Sequence, residues 1–324
     1  MRIRWGILGP GKIAHKFADA LTVLEDHALV AVGGRDLSRA SDFAQRYGDI
    51  RAYGSQESLL EDDEVDVVYI ATPHSNHREA AIACSQAGKA VLCEKPLAVN
   101  RDQAEAMVAA ARDADRFLME AMWTRFLPVY ADVRSWLAEG ALGDPRLLQA
   151  SFGFRTPWNP EGRVLAPELA GGALLDVGVY PVALALWIFG RPPTEIRALG
   201  HLGETGVDEQ TGILLRFDRG ELAILDCSVR TVTRHDAELF GTGGRLRIEK
   251  FSRATTAHLE AGDRRETRVR PFRANGFEYQ AQEAGRCLRA GQLESPDMSH
   301  RMSVEIMAVM DEVRRQLGLR YPME

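Results

Sequence analysis

The feature that most constrains the fold of this chain is a glycine turn at residues 9–14, which reads G-P-G-K-I-A. It follows an apolar run, Ile3–Leu8, that suits a buried strand, and it opens a segment with apolar residues at helical spacing. In such a strand–turn–helix unit Gly9 permits the tight turn, Gly11 lets a pyrophosphate approach backbone N–H groups, and Ala14 allows close packing of helix on strand. The turn therefore predicts a dinucleotide-binding site at Gly9, Gly11, Lys12 and Ile13.

The first part of the chain alternates short runs rich in Val and Ile with helical patterns. The runs are Ile3–Leu8, Leu29–Val32, Val65–Ala71, Ala90–Cys93 and Phe117–Met119, and the helical patterns are Lys12–Leu24, Leu37–Tyr47, His77–Ala87 and 101–114. Such runs suit strands buried on both faces of a parallel sheet, and their alternation with helices is typical of an open, doubly wound α/β domain. The sequence predicts a Rossmann dinucleotide-binding domain over residues 1–120.

The pattern changes after residue 120. Helical patterns at Val129–Leu137, Ala173–Phe189 and Ser299–Leu317 are combined with strand-like runs at Leu147–Phe154, Glu195–Leu199, Gly212–Phe217, Leu222–Val229, Ala237–Gly241 and Leu246–Ile248. The turn Asp218-Arg219-Gly220 between two of these runs indicates an antiparallel hairpin. We predict an α+β domain with an open, mostly antiparallel sheet over residues 121–324, for substrate binding and oligomerisation. Its C-terminal helix, 299–317, is free to pack back on the first domain.

The end of the second strand bears on which dinucleotide binds. An NAD-specific site places a carboxylate about 20 residues past the glycines, whereas counting from Ala14 leads to Gly33-Gly34-Arg35. A guanidinium there can pair with a 2′-phosphate in a fork geometry and stack on adenine. We therefore predict NADP as the cofactor, bound through Arg35. NAD stays open, because Asp36 could bond the ribose instead of only capping the next helix.

Composition argues against several classes of partner. The chain carries 40 Lys and Arg against 46 Asp and Glu, a net charge of -6, and its basic residues are scattered, which argues against nucleic acid. No apolar stretch is expected to reach the roughly 18 residues of a membrane span, and no secretory signal is expected. The four cysteines form no C-x-x-C pair, which favours a reduced, cytoplasmic protein.

Three further segments carry polar residues where open α/β sheets bind ligands: Ala71–His77, Cys93–Leu97 and Gly171–Tyr180. The second contains E-K-P, and the third reads G-G-x-L-x-D-x-G-x-Y. Together with the glycine turn they make the chain resemble, over essentially its whole length, the glucose–fructose oxidoreductase/inositol dehydrogenase (Gfo/Idh/MocA) family. Glu294–Pro296 and Leu319–Pro322 also look like the branch that contains dihydrodiol and sugar dehydrogenases.

The resemblance implies an active site between a Rossmann domain and an open-faced sheet domain, with Lys95 and Tyr180 near the nicotinamide and Asp176 alongside. Many family members have His where this chain has Tyr180, and Tyr is the dihydrodiol and xylose dehydrogenase pattern. The implied activity is NADP-dependent hydride transfer between nicotinamide and a secondary alcohol of a sugar, cyclic polyol or trans-dihydrodiol. A phenol is a poor base at neutral pH unless a cation lowers its pKa, and Lys95 supplies that cation.

The remaining cofactor candidates lie in the same loops. Thr72 and His74 are expected to border the nicotinamide ribose, and Glu94 to bond the same ribose or the amide. His77 is expected to order the helix that follows its loop. His74 and His77 have H-x-x-H spacing, but no third ligand cluster follows, so we predict no metal site.

Four aromatic and basic residues are candidates for the substrate pocket: Trp123, Arg125, Phe154 and Trp158. Aromatic rings there would stack on a sugar or an aromatic ring. The alternative for the same residues is interdomain core.

Two alternatives to the dehydrogenase remain. The first is a keto-sugar or anhydro-sugar reductase that uses the same site in reverse. The second is a regulator that senses NADP(H) without turnover, which predicts a disabled Lys95 and Tyr180 pair, whereas both residues are present. An open sheet has one face that needs cover, so a homodimer or homotetramer through the second domain is expected.

Overall fold

Two units divide the chain in the computed structural model, which describes residues 2–48 and 50–324. Unit 1 comprises Met1–Phe126 and Arg273–Val304, and unit 2 comprises Leu127–Phe272 and Glu305–Glu324. The segment Arg273–Val304 thus returns to the first unit, although the sequence pattern grouped it with the second domain.

Unit 1 is built on a parallel sheet. Its strands are β1 (Ile3–Leu8), β2 (His27–Gly33), β3 (Arg51–Tyr53), β4 (Val67–Ile70), β5 (Ala90–Glu94) and β6 (Leu118–Ala121). In the described part of the chain they pair in the order β3-β2-β1-β4-β5-β6, and each pairing is parallel. This order reverses direction next to β1, and Rossmann folds bind dinucleotides at that reversal. The predicted Rossmann domain is confirmed.

The helices of unit 1 are α1 (Lys12–Leu21), α2 (Leu37–Arg46), α3 (Gln56–Leu60), α4 (His77–Gln86), α5 (Arg101–Asp113) and α8 (Glu278–Arg289), and α9 (His300–Leu317) begins in unit 1 and continues in unit 2. Polar side chains begin several of them. The Asp36 side chain accepts two N–H groups in the first turn of α2, and the Asn100 side chain accepts one in the first turn of α5.

Unit 2 is built on a second sheet. Its strands are β7 (Pro145–Gly153), β8 (Glu195–Leu202), β9 (Asp208–Arg216), β10 (Leu222–Ser228), β11 (Ala237–Gly241), β12 (Gly244–Glu249), β13 (Thr256–Ala261) and β14 (Arg264–Val269). Among the described residues their order is β14-β13-β12-β11-β7-β10-β9-β8. Strands β7 and β10 pair in parallel and the other pairings are antiparallel, which confirms the mostly antiparallel sheet.

Helices pack against this sheet, and Gln316 of α9 is hydrogen-bonded to the backbone of β8. Helix α6 (Pro128–Ala138) contacts β13 and β14, and α7 (Val179–Phe189) contacts β7 and β10. Side chains alternate between the faces, so Ile213 is buried whereas its neighbour Leu214 is 42% exposed. Among the described residues, the face opposite Ile213 carries exposed side chains such as Leu214 and Ile224, and we call it the open face.

One segment, Pro167–Phe189, is long and apolar enough to cross a membrane by length and composition, with a mean hydropathy of 1.8. The expectation that no stretch reaches this length was therefore wrong, because Glu168 and Asp176 are too few to offset the apolar residues around them. Of its most apolar window 89% is buried, as in the core helix of a globular domain. The segment is weak evidence for a membrane span.

Candidate active site

The glycine turn of unit 1 leaves room for a ligand. Gly9 adopts a φ of +99°, and a Cβ there would lie 3.0 Å from the Ala71 carbonyl oxygen. At Gly11, no described atom lies within 4 Å of the position that a Cβ would take. Helix α1 begins at Lys12, and no described side chain caps it. The first N–H groups of α1 therefore remain available for a diphosphate, so this turn fits a dinucleotide.

The end of β2 carries Arg35 and Asp36 on the surface. Asp36 Oδ1 accepts the N–H groups of Ser38 and Arg39 at 2.9 and 3.2 Å, so this carboxylate caps α2. The Arg35 guanidinium is exposed. Asp36 thus caps a helix, whereas the Arg35 guanidinium does not.

His77 connects the loops that follow β4 and β5. Its ring is fully buried, and its two nitrogens lie 2.9 Å from the Pro96 carbonyl oxygen and 3.1 Å from the Thr72 carbonyl oxygen. Burial holds the pKa of His77 below its ordinary value. The buried Thr72 hydroxyl has no hydrogen-bond partner among the described residues, so it is a candidate to bond a bound cofactor.

The two histidines of the H-x-x-H pattern do not converge on one point. His74 is also buried, and its ring meets that of His77 edge-on at 5.7 Å between centroids. Both nitrogens of His77 face backbone carbonyls. Within residues 2–48 and 50–324, no group of three or more His, Cys, Asp or Glu side chains could hold a metal ion.

The E-K-P segment lies at the end of β5. The Tyr69 hydroxyl donates to Glu94 Oε1, and Glu94 Oε2 accepts the backbone N–H of Lys95 at 3.2 Å. The peptide bond between Lys95 and Pro96 is cis. These contacts fix the backbone on which Lys95 stands, and they give Glu94 protein partners rather than leaving both its oxygens for a ribose.

A further carboxyl, Glu120 on β6, supports the same turn. Its Oε1 accepts the N–H of Leu97 at 3.0 Å. Burial raises the pKa of Glu120 to about 7, and its hydrogen bonds to Ser303 and Leu97 and the positive charge of Lys95 oppose that rise. The sequence reasoning missed Glu120, although it lies in the M-E-A run at the end of a predicted strand.

Trp123 and Arg125 follow β6 and have partners inside unit 1. The Trp123 ring stacks on Phe277 with 4.8 Å between centroids. The Arg125 guanidinium donates to the Asp297 carbonyl oxygen from Nε at 3.1 Å and from a terminal nitrogen at 2.6 Å. Packing within unit 1 accounts for these contacts, and substrate binding by either residue stays a prediction.

In unit 2, Asp176 lies on a π-helical turn, Leu174–Gly178, that leads into α7. Its carboxylate is buried and receives two hydrogen bonds from the Arg163 guanidinium, at 2.9 and 3.3 Å. Arg163 belongs to the proline-containing loop before the helix, and its place in that loop is its only signal in the sequence. π-helical turns occur frequently at functional sites.

Tyr180, 9% exposed, is on α7 next to a row of rings. Phe152 lies 5.4 Å from the Tyr180 ring and 4.7 Å from the His235 ring, centroid to centroid. His235 has a φ of +62°, which is uncommon for a residue other than glycine and is concentrated at functional sites. The alternating pattern of β7 placed Phe152 in the sheet, but it did not reveal this row.

The two aromatic candidates on unit 2 differ in their surroundings. Phe154 is half-buried just after β7, where its N–H donates to the Ser228 carbonyl oxygen at 3.0 Å. Trp158 is 47% exposed, and the Arg230 guanidinium lies 5.3 Å from its ring centroid. An exposed aromatic ring beside a cation can take up a sugar or an aromatic ligand.

Comparison with known families agrees with both units. Residues 3–122 match the "Oxidoreductase family, NAD-binding Rossmann fold" description of GFO/IDH/MocA proteins, and residues 130–247 match the GFO/IDH/MocA C-terminal domain. A trans-1,2-dihydrobenzene-1,2-diol dehydrogenase of Danio rerio is 40% identical over 99% of this chain and 98% of its own length. The chain belongs to the GFO/IDH/MocA oxidoreductase family. The resemblance seen in the sequence is confirmed.

Other known proteins match this chain over similar lengths. The human trans-1,2-dihydrobenzene-1,2-diol dehydrogenase is 38% identical over 100% of this chain and 99% of its own. A 3-ketoreductase of Actinomadura kijaniata, solved with TDP-benzene and NADP, is 30% identical with a TM-score of 0.85 over 98% of each chain. An aldose-aldose oxidoreductase of Caulobacter crescentus, solved with glycerol, is 25% identical with a TM-score of 0.90 over 98% of each chain.

Proposed function

We propose that this GFO/IDH/MocA oxidoreductase is NADP-dependent and acts on a secondary alcohol of a sugar, a cyclic polyol or a trans-dihydrodiol. The observation that carries the proposal is Tyr180. It is a nearly buried phenol on α7, four residues after an aspartate held by arginine. The relatives named as trans-1,2-dihydrobenzene-1,2-diol dehydrogenases and the ketoreductase solved with NADP support the substrate class and the cofactor.

The cofactor is held by unit 1. The N–H groups that begin α1, at Lys12 and Ile13, receive the diphosphate above Gly11, and Thr72 offers its unpartnered hydroxyl. Arg35 pairs with the 2′-phosphate of the adenosine ribose, which selects NADP over NAD. When bound, NADP accepts or returns the hydride.

The hydroxyl proton is handled by Tyr180 and Lys95. Tyr180 takes the proton from the alcohol during oxidation and returns it during reduction. Lys95 is the residue we propose for the ammonium that a phenol needs nearby to act as a base at neutral pH. Arg163 fixes the direction of the Asp176 carboxylate, which keeps this charge near the start of the helix that bears Tyr180.

The direction of the reaction follows from the substrate that the cell supplies. The same residues reduce a keto-sugar when the proton moves from Tyr180 to the carbonyl oxygen, by microscopic reversibility. The solved 3-ketoreductase among the similar structures favours this second candidate. No observation in the described residues favours the NADP(H)-sensing regulator over the enzyme.

An assay of the purified chain tests the proposal. NADP reduction is measured against a panel of aldoses, inositols and trans-dihydrodiols, and NADPH oxidation against the matching keto-sugars, with Tyr180→Phe as the control for background turnover. Turnover of at least one class by the wild type, and its loss in the control, is expected. Tight NADP binding with no turnover across both panels would support the regulator instead.

We further propose a cytoplasmic homodimer or homotetramer formed through the open face of the second sheet. Near β9 and β10 this face is apolar, with Leu214 and Ile224 exposed by 42% and 47%. Near β12 and β13 it carries paired charges such as Arg245 with Glu260. A self-complementary patch of this kind suits a two-fold interface. The four cysteines are all free and buried, which is consistent with a reducing compartment.

A further inference from the structure

The helical segment that carries Tyr180 is capped from another strand. Asp208, at the start of β9, has no exposed surface, and its Oδ2 accepts the Leu174 N–H at 2.8 Å and the Thr211 hydroxyl at 2.8 Å. Leu174 begins the π-helical turn, and Ala173 before it contributes no side-chain cap. Asp208 therefore supplies from 34 residues away the cap that the local sequence lacks.

Tyr321, near the C-terminus, also hydrogen-bonds to the backbone next to this turn. The Tyr321 hydroxyl donates to the Gly171 carbonyl oxygen at 2.5 Å, and Tyr321 is 3% exposed. The Arg314 guanidinium lies 5.3 Å from the Tyr321 ring centroid and pairs with Glu324 at 2.8 Å. The last residues of the chain are thus tied to α9 and hold the backbone just before Leu174.

The glycines in this turn permit the close approach. Gly172 has a φ of +112°, and a Cβ there would lie 2.3 Å from Asp208 Oδ1. A Cβ at Gly171 would lie 2.7 Å from the Val164 carbonyl oxygen. Gly172 is therefore needed so that Asp208 can reach the backbone, and Gly171 is needed so that the backbone at Arg163 and Val164 can pass close to the turn.

We propose that Asp208 and Tyr321 are positioning residues for Tyr180. The inference rests on the proposed role of Tyr180 as the group that moves the hydroxyl proton. Tyr180 lies six residues after Leu174, less than two helical turns, so a displacement of the capped end moves the phenol as well. A misplacement of about 1 Å in an active site can cost about 10²-fold in rate.

Burying the Asp208 carboxylate costs desolvation free energy, and the hydrogen bonds that it accepts as a cap offset part of that cost. Burial raises the pKa of Asp208 to about 6, and the hydrogen bonds from Thr211 and Leu174, with the charge of Arg314, oppose that rise. A carboxylate at a helix N-terminus also interacts favourably with the helix dipole. The geometry, rather than the charge alone, points to positioning.

Four variants test the proposal, with Tyr180→Phe measured in parallel. Tyr321→Phe and Asp208→Ala each remove a tie, whereas Asp208→Asn keeps an oxygen that can accept the Leu174 N–H. Tyr130→Phe is the matched control, because Tyr130 is also 3% exposed and its hydroxyl donates to a backbone carbonyl of unit 2, that of Phe251, at 2.7 Å. For each variant kcat, KM, the NADP Kd and Tm are measured.

The expected result is a fall in kcat of about 10-fold or more in Tyr321→Phe and Asp208→Ala, within the range that misplacement allows. The NADP Kd should stay within about twofold, because the cofactor is held by unit 1, and Asp208→Asn should recover most of kcat. Tyr130→Phe should lower Tm without a comparable fall in kcat. If Asp208→Ala does not fold, Tyr321→Phe decides the question.

Two results would overturn the inference. One is a normal kcat in Tyr321→Phe and Asp208→Ala while Tyr180→Phe is inactive. The other is an equal fall of kcat in Tyr130→Phe, which would trace the effect to general destabilisation. An active Tyr180→Phe variant would instead refute the proposed role of Tyr180. This variant is measured separately, so the two proposals can fail independently.

Discussion

Arg163 and Asp176 form a two-pronged ion pair, with the terminal nitrogens of the arginine 2.9 and 3.3 Å from the two carboxylate oxygens. The Asp176 side chain is 7% exposed, whereas that of Arg163 is 49% exposed. The loop that bears Arg163 is thereby tied to the helix that bears Tyr180. A planar guanidinium makes this fork and an ammonium does not.

We expect Arg163→Ala to lower kcat/KM by about 10-fold, because a largely buried carboxylate loses a charge-assisted partner. Arg163→Lys should recover only part of the loss. Arg197→Ala, which removes an ion-paired arginine on the exposed edge of the second sheet, is the control and should change kcat/KM little. Steady-state kinetics measure all three, and equal values for Arg163→Ala and Arg197→Ala would contradict the assignment.

Tyr180→Phe should lower kcat by about 10²-fold or more, the scale of lost acid–base catalysis. The change removes one hydroxyl and keeps the ring that contacts Phe152, so Tm should change little. Single-turnover measurement of NADPH formation separates chemistry from product release. A variant with near-normal turnover would show that another group moves the proton.

Arg35→Ala should raise the Kd for NADP much more than that for NAD, because only NADP carries the 2′-phosphate that the guanidinium would pair with. Fluorescence titration with each cofactor gives both constants. Arg39→Ala, on the first turn of α2, is a nearby control that removes the same charge. Equal increases in the Kd for NADP and the Kd for NAD would contradict the assignment of Arg35 to the 2′-phosphate.

Glu120 should make the protein less stable as pH rises. Its pKa is raised from 4.5 to about 7, so between these values the unfolded chain releases a proton that the folded chain keeps. The free energy of unfolding then falls with rising pH, by about 3 kcal/mol across that window. Glu120→Gln keeps an acceptor for the Leu97 N–H and removes the titration.

Urea unfolding at pH 5 and pH 7.5 measures this effect. The wild type should lose more stability between the two pH values than Glu120→Gln does, and the exposed control Glu161→Gln should behave like the wild type. Parallel pH dependence in the wild type and Glu120→Gln would show that the carboxyl ionises alike in both states.

The open face of the second sheet should set the oligomeric state. Changing Leu214 and Ile224 together to Glu places charges on the apolar part of this face and should convert a dimer or tetramer to smaller species. Light scattering after size exclusion measures the mass. Leu37→Glu, at an exposed leucine of unit 1, is the control. An unchanged mass in the double variant would exclude this face as the interface.

The sequence predicted the parts of the fold that have a strong period. Strand β1 was predicted with its observed ends, and α4 to within one residue, because buried strands and amphipathic helices leave clear patterns. It missed β3, which has three residues, and α8, which lies in a stretch rich in charge. Neither segment carries enough apolar residues to show a period.

The candidate site was predictable where a motif fixes the backbone. Gly9 and Gly11 belong to the G-P-G-K-I-A motif, and Lys95 belongs to the E-K-P motif, so neighbouring residues identify all three. Arg163 and Asp208 were not predictable, because their contacts with Asp176 and Leu174 span 13 and 34 residues, which is beyond the range of a helical or strand period. Such contacts form only when unit 2 folds, and they produce no local sequence pattern that would predict them.

The two glycines of the first turn should differ in what their loss does in a cell. Gly9 has a positive φ and faces the Ala71 carbonyl, so any side chain there strains the protein and lowers its abundance. Gly11 faces open space, so a small side chain is accommodated by the fold but occupies the place of the diphosphate. Inherited changes two residues apart would thus produce a scarce protein in one case and an abundant, inactive one in the other.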